Sequence, residues 1–421
     1  MNTFSSIPSY RGVHRKGSRE LRSAVLESFS RSSPWVSETL ARFTEGEWKA
    51  NLAWLDTSGL ALYLVDRLLR LGCERSLPPA ILERLLQNRR DNTARSAAML
   101  AEAEAVTLGF EREGVLFAHL KGITLTPHSV PEPSLRLQLD LDFLVHAEDA
   151  GKAARVLEAM GYARACVSGD TWEFKAGGAE IPSLKDLYKE KPQRVAEIHL
   201  AAAQGLLERI EHRTFGSMTM PALSAPDLYL QQALHLFKHL RSAFTRAAWV
   251  LEYRRHMLAR REDVLFWQQI EGLVSDHAED RVALGVVSLL VVEVFGDRPP
   301  AFLAQLIASC VSAPVQLWIE RYGRSALLAD FPGTKLYLIL QAELDLSKTP
   351  RRAGLLPLAL PPMITLGHPG EGLRSKLRRV WIQCGFIGFR SGFHCVEGVR
   401  YLLELLRFRR LVAGLSEGVT P

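Results

Sequence analysis

The residues best placed to do chemistry in this 421-residue chain are two aspartates one residue apart, Asp140-Leu141-Asp142. On a strand, alternate side chains share a face, so both carboxylates project together while Leu139, Leu141 and Phe143 take the other side. Side by side they repel, and burial raises that cost unless a cation compensates. A hard divalent ion such as Mg²⁺ (or Mn²⁺) does so, and it also neutralises phosphate charge during phosphoryl or nucleotidyl transfer. Glu197-Ile198-His199 repeats the pattern. If its strand lies beside that of Asp140, then Asp140, Asp142 and Glu197 form a catalytic, metal-holding set of three. Lys121 and Gly122 follow a short apolar run, and the glycine permits close backbone approach where a helix begins, which is a cradle for phosphate. Arg136 can neutralise a phosphate oxygen as leaving pyrophosphate gains charge. His199 either touches phosphate or orders Glu197.

Other candidates have plainer readings. His235 and His239 stand four apart on a predicted helix and share a face. That spacing suits zinc, but no Glu follows the first histidine and no third ligand is evident, so a structural pair lining the cleft is the better account. Lys238 beside them can reach phosphate. Gly385, Gly388 and Gly392 lie among aromatics between Cys384 and Cys395, where they match no phosphate-binding spacing and read as a packing or turn region. The stretch from Leu373 to Leu411 is basic, with nine Arg or Lys against Glu397 and Glu404. Its charges interleave with Leu377, Trp381, Leu402, Leu405, Leu406 and Phe408. This makes it the solvated face of an amphipathic helix, with contact to nucleic acid or an anionic membrane as the alternatives.

Periodicity supplies the frame for these residues. From Ser18 to Gly114 the pattern is helical: Leu60 to Leu69 crowd one segment, Leu77-Pro-Pro opens a helix with Ile81, Leu82 and Leu85, and a longer run covers Asp91 to Glu113. The period then changes. Val115–Leu120, Leu139–Val145, Tyr162–Val167 and Val195–Leu200 read as strands, with a helix over Ala147–Met160. Beyond Pro226, helices are predicted over Asp227–Leu240, Ala247–Arg261, Val264–Asp276, Asp280–Phe295 and Pro300–Val311, and a proline-rich connection over Pro350–Gly370. The divisions are 1–110 (helical), 111–222 (α/β) and 223–421 (helical with a basic tail).

Composition bounds the class. Hydrophobic residues make up 47% and charged residues 23%, the balance of a folded chain and not of a disordered or collagenous one. Five scattered cysteines without a Cys-x-x-Cys pair argue against a disulfide framework or a zinc ribbon and for a reducing compartment. No run reaches the roughly 20 apolar residues of a membrane span, and Met1–Tyr10 lacks the order of a signal peptide, so a cytoplasmic location is expected. The formal net charge of +6 is too small over this length to name a partner.

Leu120-Lys-Gly122, Pro131-Glu-Pro133, Arg136 and Asp140-x-Asp-x-Leu-Val145, followed by Glu197-x-His199 and then His235 and His239, resemble the uncharacterised nucleotidyltransferase family of the polymerase-beta-like superfamily. The helical lead-in with Leu77-Pro-Pro and Asn92 is similar too, and the likeness covers about residues 36–260. It implies an α+β fold, with a small polymerase-beta-like nucleotidyltransferase core flanked by N-terminal and C-terminal helical regions. It also implies an enzyme that moves an NMP group from an NTP to an acceptor (small molecule, peptide or protein). In that account Asp140, Asp142 and Glu197 hold metal, while Lys121, Gly122, Arg136 and His199 meet the nucleotide. The alternative is a catalytically inactive module that binds nucleotide or a protein partner. Departures are the absence of Gly-Ser just before the paired acids, Val130 before Pro131, Leu200 after His199, and Glu252 after Trp249 where the family tends to have Asp.

Overall fold

The computed structural model describes residues 16–178, 186–191, 193–201, 205–215, 218–344 and 372–417. The expected connection over Pro350–Gly370 lies outside them, as does Met1–Tyr10. Helices come first: α1 (Lys16–Ser28), α2 (Ser33–Leu40), α3 (Glu45–Thr57), α4 (Ala61–Leu71) and α5 (Pro79–Arg112). Thr44 and Glu47 close a capping box at the start of α3, and Gly72 ends α4 in the left-handed conformation that a Cβ would disfavour. The two helical stretches expected between Leu77 and Glu113 are one helix of 34 residues. Neither Pro nor Gly interrupts it between Ala80 and Leu108, so nothing in the backbone stops propagation.

The α/β part runs β1 (Phe117–Leu120), β2 (Leu141–Val145), α6 (Ala150–Ala159), β3 (Ala163–Ser168), β4 (Thr171–Ala176), β5 (Arg194–Leu200), β6 (Ile210–Phe215) and β7 (Met218–Leu223). The strands form one mixed sheet in the order β3-β4-β5-β2-β1-β7-β6. The β2–β5 and β1–β7 pairs are parallel and the others antiparallel. Three strands beyond the four expected are present. β7 carries Pro221, which argues against an interior strand when read in sequence, and β4 interleaves Glu173 and Lys175 with its apolar residues.

The sheet has two differently covered faces. Phe117, Leu141, Phe143, Val145, Phe174, Ile198 and Met220 pack against Val106 and Phe110 of α5 and against Leu157 of α6. The opposite face carries Ala118, Leu144 and Leu223 into a much larger helical core. That core is completed by α7 (Ala225–Leu240), α8 (Ala247–Ala259), α9 (Val264–Val274), α10 (Ala278–Phe295), α11 (Ala301–Cys310), α12 (Ala313–Trp318), α13 (Arg324–Leu327) and α14 (Tyr337–Leu344).

Helices from both ends of the chain share this core. Trp54 donates its indole N–H to the Leu327 carbonyl at 3.3 Å. Arg22, itself buried, reaches the Leu328 carbonyl and Asp330. Last comes α15 (Leu373–Glu417), a 45-residue helix that runs without a break through Gly385, Gly388 and Gly392. No single helix among the described residues is long and apolar enough to cross a membrane.

Candidate active site

The parallel pairing of β2 with β5 sets Asp142 directly opposite Glu197, and Leu144 opposite His199. Because Leu141 and Phe143 are anchored in the α5–α6 core, alternation turns Asp142 to the other face, toward α7 and α8. Glu197 and His199 follow the same rule around the buried Ile198. One ligand atom from each of Asp142, Glu197 and His199 lies within 4.8 Å of the other two. His199 Nε2 is 2.8 Å from Asp142 Oδ1 and 3.3 Å from Glu197 Oε2, and its Nδ1 is 3.2 Å from the Thr171 hydroxyl on β4.

Charge is balanced unevenly here. Burial opposes ionisation of Asp142, but hydrogen bonds from His199 and Lys121 outweigh it and hold the carboxyl below its ordinary range. Burial likewise disfavours a charged His199, yet the hydrogen bonds to Asp142 and Glu197 raise its pKa. Asp140 lies just before β2, outside the three-residue cluster. Burial, and then the Asp142 and Glu197 carboxylates, push it up to about 6 against the opposing pull of Lys121 and Arg136.

Lys121 delivers its Nζ to 3.1 Å from Asp142 Oδ1 from a backbone at φ 50°, which side-chain-bearing residues rarely adopt. Gly122, also at positive φ, presses against the Gln138 side chain, whose amide donates to the Asp140 carbonyl at 2.8 Å. The helix expected to begin at Gly122 is a single 3-10 turn, Gly122–Leu125. Its close approach serves the turn that aims Lys121, and no helix N-terminus faces the cleft there.

Arg136 is partly buried, with Nε 3.3 and 3.4 Å from the two carboxylate oxygens of Glu252 on α8. Tyr63 donates to the same carboxylate at 2.7 Å. Burial opposes the Arg136 charge, but Glu252 keeps its pKa above the ordinary value. Asn92 of α5 holds this segment by donating to the Ser134 and Arg136 carbonyls at 2.7 and 3.2 Å. Sequence reasoning met Glu252 only as a departure from a pattern, and it missed both Thr171 and the Tyr63 contact. The Trp249-x-x-Glu252 spacing, which puts both residues on one face of α8, was the available signal.

These residues line a cavity of about 370 Å³ between the sheet and α7–α8, with Lys121, Arg136, Thr171, His199, His235, Lys238, Trp249 and Glu252 in its wall. His235 and His239 pack on each other and on the Trp249 ring, with centroids 4.3–4.9 Å apart. Burial, reinforced by neighbouring positive charge, lowers His235 to about 3 and His239 to about 4, so both are neutral at physiological pH. The pair forms an uncharged aromatic wall facing the carboxylates. A larger open groove of about 620 Å³, lined by Arg261, Trp267, Arg298 and Phe302, lies away from the acidic cluster.

Residues 44–291, more than half of the chain, match the model of an uncharacterised nucleotidyltransferase family. No curated protein matches the chain.

Proposed function

The chain belongs to an uncharacterised nucleotidyltransferase family, and from that premise we propose that it transfers an NMP group from an NTP to the hydroxyl or similar nucleophile of an acceptor. The observation that carries this reading is the parallel register that sets Asp142 beside Glu197 and both against His199, which lines a cavity together with Lys121, Arg136 and Lys238. The donor set fits a divalent cation. Two carboxylates and an imidazole converge, Asp140 next to them is pushed up to about 6 by burial and then by their charge, and the Lys121 ammonium already leans on Asp142 Oδ1. Asp142 and Glu197, with Asp140 and His199 beside them, would hold Mg²⁺ or Mn²⁺. A cation bound there supplies charge neutralisation on the triphosphate and acidifies the attacking hydroxyl.

The protein's own groups do the rest. Lys121 moves its charge from Asp142 to a phosphate oxygen as nucleotide enters, exchanging one anionic partner for another. Its strained backbone fixes the direction of that reach, and Gly122 makes the turn possible. Arg136, oriented by Glu252 and Tyr63, presents its remaining guanidinium N–H groups to the phosphates. His199, held by Thr171, stands between the Asp142 and Glu197 carboxylates and keeps them in register. The neutral His235–Trp249 wall excludes water from the opposite side of the cleft.

The test is incubation with each α-³²P-labelled NTP, Mg²⁺ or Mn²⁺ and a lysate of the native host. Label on an acceptor with wild type but not with Asp142→Asn supports transfer. A second reading, a module that binds nucleotide without turnover, rests on the Lys121–Asp142 ion pair, which neutralises the buried carboxylate without metal. NTP-dependent stabilisation with no label transferred to any acceptor would favour it.

A further inference from the structure

The part of the molecule that this reading leaves unused is α15. At about 1.5 Å per residue its 45 residues extend roughly 67 Å. One side packs on the body. Phe393 and Phe408 are buried, and Phe408 lies 6.2 Å from the Tyr322 ring. Glu397 accepts from the Lys335 backbone N–H, and Glu404 accepts from the Tyr322 hydroxyl.

The other side is apolar and exposed among the described residues. Leu373, Leu377, Trp381, Val399, Leu402 and Leu406 are each more than half exposed. Within each group of three the spacing is three or four residues, one helix face. Eighteen residues separate Trp381 from Val399, about five full turns at 3.6 residues each, so both groups lie along a single stripe. Phe408 is nine residues from Val399, about two and a half turns, and so on the opposite side. Between the two groups the stripe carries the small residues Cys384, Gly388, Ser391 and Cys395.

The charges select the occupant. Exposed Arg374 and Lys376 flank the stripe at one end, and exposed Arg409 and Arg410 close the other. Between Leu373 and Leu415 the only acidic residues are Glu397 and Glu404, both turned to the body and paired with Arg400 and Arg407. A second copy laid stripe to stripe would bring these cations together with no acidic residue to offset them. Nucleic acid would answer the cations but not the Leu, Val and Trp side chains between them. An anionic lipid surface answers both, taking the apolar stripe into the acyl boundary and the arginines among its headgroups. We propose that α15 lies in the plane of an anionic membrane surface and carries the nucleotidyltransferase body to it without spanning the bilayer.

The test is co-sedimentation of the full chain with vesicles of phosphatidylcholine alone and of phosphatidylcholine mixed with phosphatidylglycerol. Binding to the mixed vesicles, weakened by salt and slight on the neutral ones, is the expected result. Replacing three exposed charges (Arg374→Gln, Arg409→Gln, Arg410→Gln) should weaken partitioning about a hundredfold. Replacing the stripe at either end (Leu377→Gln with Trp381→Gln, or Leu402→Gln with Leu406→Gln) should weaken it about tenfold or more. All of these variants should keep the wild-type melting temperature, because the side chains are exposed. The proposal is overturned by failure to bind mixed vesicles, by binding that ignores the stripe variants, or by retention of nucleic acid alone. A wild-type dimer that the stripe variants dissociate, or a melting temperature that falls in them, would equally overturn it, because the stripe would then be covered by a second copy or by the chain itself.

Discussion

Asp142 and Glu197 are directly paired residues on neighbouring parallel strands, far apart in sequence and bridged by one imidazole, that of His199. Asp140, two residues before Asp142, shares their field without sharing the imidazole.

That asymmetry separates two substitutions which look equivalent in the sequence. Asp142→Asn takes a charged acceptor away from both Lys121 and His199, and should cost about 1–3 kcal/mol in chelator-treated protein. Asp140→Asn removes a repelled carboxylate and should leave stability unchanged or raise it by up to about 1 kcal/mol at pH 7. Urea denaturation of the two variants tests the difference, and equal losses would mean that Asp140 is tied down by contacts beyond its two anionic neighbours. Both variants should lose transfer and the melting shift given by Mn²⁺ with NTP.

Lys121→Ala should weaken NTP binding with little change in melting temperature, since half-exposed Lys121 holds only one carboxylate. Arg136→Ala should lower stability by about 3–5 kcal/mol, because it strands the buried Glu252 carboxylate. The double variant Arg136→Met with Glu252→Gln should recover part of that loss. Calorimetry on the set distinguishes a phosphate ligand that is dispensable for folding from one built into the core.

Gly122→Ala should destabilise by about 1–3 kcal/mol, since the new methyl meets Gln138 at a positive φ that alanine disfavours. Displacing Gln138 also removes its hydrogen bond to the Asp140 carbonyl. NTP affinity should fall with it, by the loss of Lys121 placement. An unchanged melt with unchanged affinity would show the turn to be tolerant.

Stability should decline as pH falls below about 6.5. Burial holds His119 at about 3, where its ring lies 2.8 Å from the Thr107 hydroxyl, and His235 is held at the same value. Between about 6.5 and 3 the unfolded chain takes up protons that the folded chain refuses, so each histidine removes roughly 1 kcal/mol per pH unit through that window. Denaturant melts at pH 7, 6 and 5 measure the slope. His119→Gln should be less stable at pH 7 and show a shallower loss on acidification.

Part of the site's geometry was legible in order. Strand alternation puts Asp142 on one face of β2, and Glu197 with His199 on one face of β5, because a period of two sends side chains to fixed faces whatever the rest of the fold does. The helices from α7 to α11 were legible for the same reason, their apolar residues recurring at helical spacing. β4, β6 and β7 were not, since half-buried strands with interleaved charges and an interior Pro221 carry little periodic signal.

By itself, then, the sequence determined which residues within β2 and within β5 face the same way and where most of the helices run, both consequences of local backbone geometry. Only the tertiary structure decided that β5 lies beside β2 in parallel, which makes Glu197 and His199 neighbours of Asp142. It also decided that Arg136 is held by Glu252, which Tyr63 fixes in turn, from helices distant in the chain, and that burial and two neighbouring carboxylates act together on Asp140. Those relations depend on loop closures and long-range packing, and the free energies that select them are spread over the whole core, not written at any one position.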